Sequence, residues 1–255
     1  MTNTIGPTQT RDPGFFKLLG IFTGLLVAAL VVATVASSKI LMVGPLNLPG
    51  GVLIFPITYI LNDILTETYG YARSRQAVWT ALACQALTGL ILWLVGVLPP
   101  AAFWHNQSAY EAVLGFVPRV ALAGLAAFFT GEMANSFVLS KMKYWHQGKR
   151  GLRQGWRFVA STMVGEAIDS FVVMTVAFWG VIPTVDLFTT MVTLYVVKVL
   201  YEIVSLPFSV PFSNWVKRIE HFDRIDTPDT TNYNPFLFEP GDIPVDANPA
   251  RSVDQ

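Results

Sequence analysis

Charge is what this chain has least of. Only 13% of its 255 residues are Asp, Glu, Lys or Arg, against roughly 25% in soluble domains, while 53% are hydrophobic and mean hydropathy is +0.48. That balance excludes an ordinary soluble domain and puts the chain in the membrane class. The single cysteine, Cys84, excludes an internal disulfide, and its apolar surroundings suit a small buried hydrophobe. Cys84 and three scattered histidines, His105, His146 and His221, cannot build a metal cluster. There is no Walker-type phosphate loop and no GxSxG, and the thiol has no neighbouring base. Enzyme chemistry therefore lacks its groups, and no cofactor is implied.

Long apolar runs are what the chain does have. Phe15 to Ser37 can span a bilayer. Its ATVASS ending resembles a signal-peptidase site, but the run exceeds the usual roughly 7–15 residues, so a retained first helix is expected. Small residues recur at Gly20, Gly24 and Ala28, and at Ala29, Ala33 and Ser37, faces that permit internal packing and equally a homodimer. Lys39 at the far end can snorkel to the interface. The turn-rich GPLNLPGG (44–51) cannot continue a helix. Pro56 then suits the first turn of a second helix reaching Tyr69. At roughly 1.5 Å per residue that helix is about 21 Å long, short of the roughly 30 Å hydrocarbon core. Gly51 to Phe55 is thus a candidate for non-helical backbone at membrane depth.

After a short basic loop at Arg73 and Arg75, further spans are expected over 77–98, 118–140, 158–182 and 185–206, the last ended or kinked by Pro207 and Pro211. Residues 99–118 form the longest loop, with Trp104 and Tyr110 placed for an interface. The fold class is all-α integral membrane: six transmembrane helices, the second preceded by a short turn, hairpin or re-entrant segment. The expected division is a tail over 1–14, a transmembrane domain over 15–218 and a C-terminal tail over 219–255. That last stretch, rich in Asp, Pro, Asn and Thr, has the composition of disorder.

Orientation follows from the cations. With six spans and both termini inside, the cytoplasmic side holds Arg11, Lys17, Arg73, Arg75, the acid-free cluster from Lys141 to Arg157, and Lys217, Arg218, Arg224 and Arg251; the outer side holds only Lys39 and Arg119. This explains the basic central loop without a nucleic-acid partner.

Away from their outermost residues the spans carry six acids, Asp63, Glu67, Glu132, Glu166, Asp169 and Glu202, against one base, Lys198, or two if Lys39 reaches inward. Asp63 and Glu67 share a helix face, with Tyr59, Asn62 and Thr66 on or beside it. GEMANS places Glu132 and Asn135 three apart; GEAIDS repeats the pattern with Glu166 and Asp169, followed by Ser170, and hints at an internal repeat. Lys198 and Glu202 stand four apart, with Tyr201 between them. Pairing cannot neutralise all six acids, so some are protonated, hydrated or bound to a donor-rich or cationic ligand. All approach the inner half of their spans and can meet in one layer. A carboxylate can accept two parallel hydrogen bonds from a guanine-like ring, with an amide reading the next edge. Phe55, Tyr59, Phe137 and Trp179 are available for stacking. These residues call for a polar donor-bearing solute or a proton, and do not choose between them.

The runs PGGVLIFPITYILNDILTETYG, NSFVLSKMK, WRFVASTMVGEAIDS and YVVKVLYEIVSLP together resemble the YhhQ-type queuosine precursor transporters, also called the vitamin uptake transporter family. The similarity covers about 15–236, including a closing Asn234, Pro235 and Phe236, which argues for order up to that point. The resemblance implies a multi-pass importer in the bacterial inner membrane, both termini cytoplasmic. Its substrates would be the deazaguanine precursors 7-cyano-7-deazaguanine and its 7-aminomethyl derivative. Matching polar positions are Asp63, Glu67, Asn135, Arg157, Ser161, Thr162, Glu166, Asp169, Lys198 and Glu202. Of these, Asp63, Glu166 and Asp169 would contact the ring donors, with Lys198 and Arg157 facing an acceptor or pairing with an acid. A secondary transporter or facilitator is the first reading, and a substrate-binding subunit of an ATP-driven importer the second.

Overall fold

The computed structural model describes residues 16–43, 46–115, 117–179, 183–228 and 230–237. The N-terminal tail expected over 1–14 and the C-terminal residues 238–255 lie outside the described residues. Among the described residues seven α-helices follow one another: α1 (Leu19–Ala36), α2 (Phe55–Tyr69), α3 (Tyr71–Val97), α4 (Gln107–Leu114), α5 (Val117–Trp145), α6 (Leu152–Phe178) and α7 (Thr184–Glu220). Five of them, α1, α3, α5, α6 and α7, are long and apolar enough to cross a membrane. The 15-residue α2 is not among these. Between α1 and α2 the antiparallel strands β1 (Ile40–Val43) and β2 (Leu46–Pro49) lead into a 3-10 turn over Gly50–Leu53.

That turn requires its glycines. A Cβ on Gly50 would meet the Ala36 carbonyl oxygen at 2.5 Å, and one on Gly51 would meet the Ala33 carbonyl oxygen at 2.5 Å. Of the two small-residue faces on α1, Ala33 and Ser37 are therefore used internally. Gly20 and Gly24 meet nothing within 4 Å.

The expected basic loop at Arg73 and Arg75 does not exist. Gly70, at φ +86°, alone separates α2 from α3, and both arginines lie in the first turns of α3. The N-terminus of α3 is capped by Asp226, whose Oδ2 accepts the Tyr71 N–H at 2.9 Å. Asp226 belongs to the stretch expected to be disordered. Residues 222–228 and 230–237 have no helix or strand, yet they lie across α2, α3 and α5. The Arg224 N–H donates to the Thr68 carbonyl at 3.0 Å, Ser140 Oγ to Asp226 Oδ2 at 2.7 Å, and Trp79 Nε1 to the Pro235 carbonyl at 2.8 Å. Arg75, 2% exposed, donates Nη1 to the carbonyls of Asn232 and Asn234, both at 2.8 Å. Low hydrophobicity disfavours an independent core, but here the segment borrows one and satisfies buried donors that would otherwise go unpaired.

The helix ends also differ from expectation. Pro207 and Pro211 do not end α7, which continues to Glu220. Both prolines occupy its exposed face, while Ser209 and Ser213 between and beyond them are buried. Glu220 then caps α1, accepting the Leu18 N–H at 2.6 Å and the Tyr69 hydroxyl at 2.9 Å; a carboxylate suits a helix N-terminus. Tyr110, on α4 within the expected loop, donates to the Leu92 carbonyl at 3.0 Å and so packs on the end of α3. Cys84 is half-buried, not buried.

GEMANS and GEAIDS meet at a close crossing, near the middles of α5 and α6. A Cβ on Gly131 would approach Asp169 Cβ at 2.8 Å and the Gly165 carbonyl oxygen at 3.0 Å. One on Gly165 would approach Asn135 Cβ and the Gly131 carbonyl oxygen, each at 2.8 Å. Each glycine thus makes room for the fifth letter of the other motif, a reciprocal packing that gives the sequence likeness a physical reason. Gly131→Ala is expected to cost about 1–3 kcal/mol by forcing the backbones apart, whereas Gly24→Ala should not destabilise. Thermal unfolding of the two detergent-solubilised variants checks this, and equal melting temperatures would contradict it.

Candidate functional site

Crossing at Gly131 and Gly165 sets the next residues, Glu132 and Glu166, near mid-length on α5 and α6, and Glu202 is mid-length on α7. The cluster is therefore central to these helices and not confined to one half, because α5 and α7 run on past their expected ends. Tyr59, Asn62, Asp63, Glu67, Glu132 and Asn135 are all buried, as are Arg157, Ser161, Thr162, Glu166, Asp169, Lys198 and Glu202. They divide into two groups.

The first group is an ion network at the end of the bundle where α2, α5 and α7 finish. Both Glu67 carboxylate oxygens are engaged by cations. Arg157 Nε reaches Oε2 at 2.8 Å while its Nη2 bonds Oε1, and Lys217 Nζ reaches Oε1 at 2.6 Å. Lys143 Nζ bonds the Glu67 carbonyl oxygen and pairs with Asp223 Oδ1 at 2.6 Å; Lys217 also reaches Asp223, at 3.0 Å. Four elements are thereby tied: α2, α5, α6 and α7 with the segment after it. Of the two roles open to Arg157, facing an acceptor or pairing with an acid, the geometry gives the second. Burial pushes the Asp223 carboxyl up, but Lys143 and Lys217 outweigh it and hold it below the ordinary carboxylate range.

A carboxyl lowered on folding contributes stability above its unfolded value and loses it as pH falls through the folded one. Acid unfolding should therefore steepen below about pH 4, and Asp223→Asn should flatten that limb. Melting temperature against pH in detergent measures this; an unchanged acid limb in the variant would show that Asp223 carries none of it.

The second group lies toward the middle of the bundle. Lys198 Nζ pairs with Asp169 Oδ2 at 2.6 Å and Glu166 Oε2 at 2.7 Å, and stands 5.5 Å from the Phe55 ring centroid and 5.8 Å from that of Tyr59. Asn135 Nδ2 donates to Asp63 Oδ1 at 2.7 Å, and Thr162 also stands by Asp63. Asn62 Nδ2 donates to Glu132 Oε2 and, at 2.9 Å, to Ser136 Oγ, while its Oδ1 accepts from Ser74. Ser161 turns its hydroxyl back to the Phe158 carbonyl at 3.0 Å. Several buried oxygens have no hydrogen-bond partner among the described residues: Tyr59 Oη, Glu132 Oε1, Asn135 Oδ1, Ser170 Oγ and Glu202 Oε1. Buried polar atoms are rarely left so. Five acids here face one lysine, and the open oxygens can accept hydrogen bonds from a donor-bearing solute.

Two expected stacking residues are elsewhere. Phe137 packs edge-on against Tyr233 at 5.2 Å, and Trp179 is 67% exposed. Lys143, Lys217 and Asp223 were legible only as a basic loop, a span end and a tail. Ser136 has no sequence signal beyond its helical spacing from Glu132, and Ser74 has none.

Residues 49–211 match the family described as putative vitamin uptake transporter, a range that contains the whole acid cluster. A probable queuosine precursor transporter of Bacillus subtilis (strain 168) is 30% identical over 161 residues, covering 62% of this chain and 69% of the relative. The queuosine precursor transporter of Escherichia coli (strain K12) is 25% identical over 151 residues, 57% of this chain and 64% of the relative. A probable queuosine precursor transporter of Haemophilus influenzae is 24% identical over 130 residues, 51% of each. The chain thus spans about half to two thirds of the length of these curated relatives. No solved structure matches it. With most of its length matched and every acid of the central cluster inside the match, the chain belongs to the putative vitamin uptake transporter family, whose members are membrane transporters and not enzymes.

Proposed function

We propose that the chain carries queuosine precursors, 7-cyano-7-deazaguanine and its 7-aminomethyl derivative, across the bacterial inner membrane as a secondary transporter or facilitator, with the central acid cluster as its substrate site. The observation that supports this most is the set of buried oxygens without partners around five acids and a single lysine. A deazaguanine ring presents an N1–H and an exocyclic amine side by side, which one carboxylate can accept together. Asp63, Glu166 and Asp169 take that part, the Asn135 carbonyl oxygen reads a neighbouring donor, and Phe55 and Tyr59 offer ring faces. Lys198 holds the Glu166 and Asp169 carboxyl groups side by side until the ligand arrives.

The topology we propose has six crossings. The β1–β2 hairpin and the 3-10 turn complete the crossing that α2 begins, their non-helical backbone covered by α1. Contacts of Leu18 and Tyr69 with Glu220 support an even count, because they bring the start of α1 and the ends of α2 and α7 together. That end carries Arg73, Arg75 and the Lys141–Arg157 cluster, so it faces the cytoplasm with both termini.

Liposomes holding only this purified chain test the proposal. Time-dependent, saturable uptake of labelled 7-cyano-7-deazaguanine is expected. Saturable binding without uptake would support the alternative, a substrate-binding subunit of an ATP-driven importer. Neither uptake nor binding would overturn both.

A further inference from the structure

We propose that Glu132 is a proton-binding site coupled to transport, its Oε1 taking up a proton on the outer side of the membrane and releasing it to cytoplasmic water. The inference rests on the transport reading above and adds the energy source.

Glu132 is fully buried. Its Oε2 is held by Asn62, which is itself fixed by Ser74 and Ser136. Its Oε1 has no hydrogen-bond partner, and no cation pairs with either oxygen among the described residues. The groups around it are acids. From α2 come Asp63 and the Tyr59 hydroxyl; from α6 come Glu166 and Asp169, and all four are its electrostatic neighbours. Lys198 on α7 is engaged with the two α6 acids, and Glu202 on α7 adds a further acid near Asp63. Where α3 packs on α5 it offers Ser74 and the Tyr71 hydroxyl, 3.8 Å from Met133 Sδ. No residue of α1 is ionisable, and Glu111 on α4 is exposed and hydrogen-bonded to Gln107.

A second observation points to the same place. The Tyr59 hydroxyl is 1% exposed, has no partner, and lies 3.1 Å from where a Cβ on Gly131, the residue before Glu132, would stand. An unpaired buried carboxylate beside other carboxylates is strongly disfavoured, whereas a protonated Glu132 adds no charge to the cluster. Binding the neutral 7-cyano-7-deazaguanine brings no cation to offset the acids, so in this scheme the proton accompanies it. Proton and ligand then bind cooperatively and cross together: one O–H bond forms on Glu132 from outer water and breaks to inner water, with no net chemical change.

The experiment uses the full chain in liposomes and compares the wild type with Glu132→Gln, which keeps the shape and cannot titrate. With an inward gradient of about one pH unit, one-to-one coupling drives accumulation up to about tenfold. We expect the wild type to approach that ratio, and the variant to give the same uptake with the gradient as without it. Infrared spectra of the purified proteins supply a readout that needs no transport: the C=O band of protonated carboxyl groups should be weaker in the variant by the contribution of one carboxyl. Gradient-driven accumulation by Glu132→Gln, gradient-insensitive uptake by the wild type, or an unchanged infrared band would each overturn the proposal. Substrate exchange without a gradient reports on the transport reading separately, so loss of one does not mimic loss of the other.

Discussion

Replacing Glu67 with glutamine is expected to destabilise the protein more than any other single change at a charged position. Arg157 would then lose its carboxylate partner and Lys217 would keep only Asp223, which Lys143 already occupies, because Glu67 presently takes Arg157 with both oxygens and Lys217 with one. Removing one partner from a buried ion network costs about 3–5 kcal/mol, chiefly because charge is left without compensation. In a chain of this size that is a drop in melting temperature on the order of 10 °C. Adding Lys217→Met to Glu67→Gln should recover part of the loss, since the second change removes one stranded cation; the double-mutant cycle isolates the coupling. A melting temperature equal to the wild type's would mean the network contributes little, and additive losses would mean Glu67 and Lys217 act independently.

Asp169→Asn should behave in the opposite way, failing in uptake while folding well. Lys198 lies between Asp169 and Glu166, so an amide at 169 leaves one lysine facing one glutamate, a balanced pair. What is lost is an acceptor for the ligand. A hydrogen bond to a charged group is worth about 1.5–3 kcal/mol, so uptake of 7-cyano-7-deazaguanine should fall by about 10- to 100-fold, with insertion and melting temperature close to the wild type's. Lys198→Met is the informative contrast, because it strands two acids and should impair both. Normal uptake by Asp169→Asn would remove that residue from the substrate site.

These two variants separate what the sequence makes visible from what it hides. Six acids against one lysine within apolar runs are conspicuous because burying them is unfavourable without a partner, and five of the six do meet in one place. The likeness of GEMANS to GEAIDS also has a three-dimensional counterpart in the reciprocal crossing at Gly131 and Gly165. The sixth acid, Glu67, looks the same in sequence as Asp63 but lies one turn further along α2, where cations from three other elements converge. Nothing local announces that convergence. Lys143 reads as part of a basic loop, Lys217 as a span end and Asp223 as a polar tail, and they join Glu67 only through contacts between residues up to 150 positions apart, as for Glu67 and Lys217.

The closing segment is hidden for the same reason. Its composition cannot support a core of its own, yet Asp226 caps α3 and the Asn232 and Asn234 carbonyls satisfy Arg75. The reach of α7 past Pro207 and Pro211 was likewise not legible, because a proline weakens a helix locally while the buried Ser213 and Lys217 beyond it are held from other elements. Gln154 Nε2 lies 3.3 Å from Ser213 Oγ, and Glu67 pairs with Lys217.

The most direct measurement is equilibrium binding of 7-cyano-7-deazaguanine to the purified chain in detergent, with Asp169→Asn and Asp223→Asn alongside. If the central cluster is the substrate site, the wild type binds saturably, Asp169→Asn binds at least about tenfold more weakly, and Asp223→Asn, altered only in the peripheral network, binds like the wild type. Equal affinity in wild type and Asp169→Asn, with loss in Asp223→Asn, would place recognition in the ion network and contradict the account.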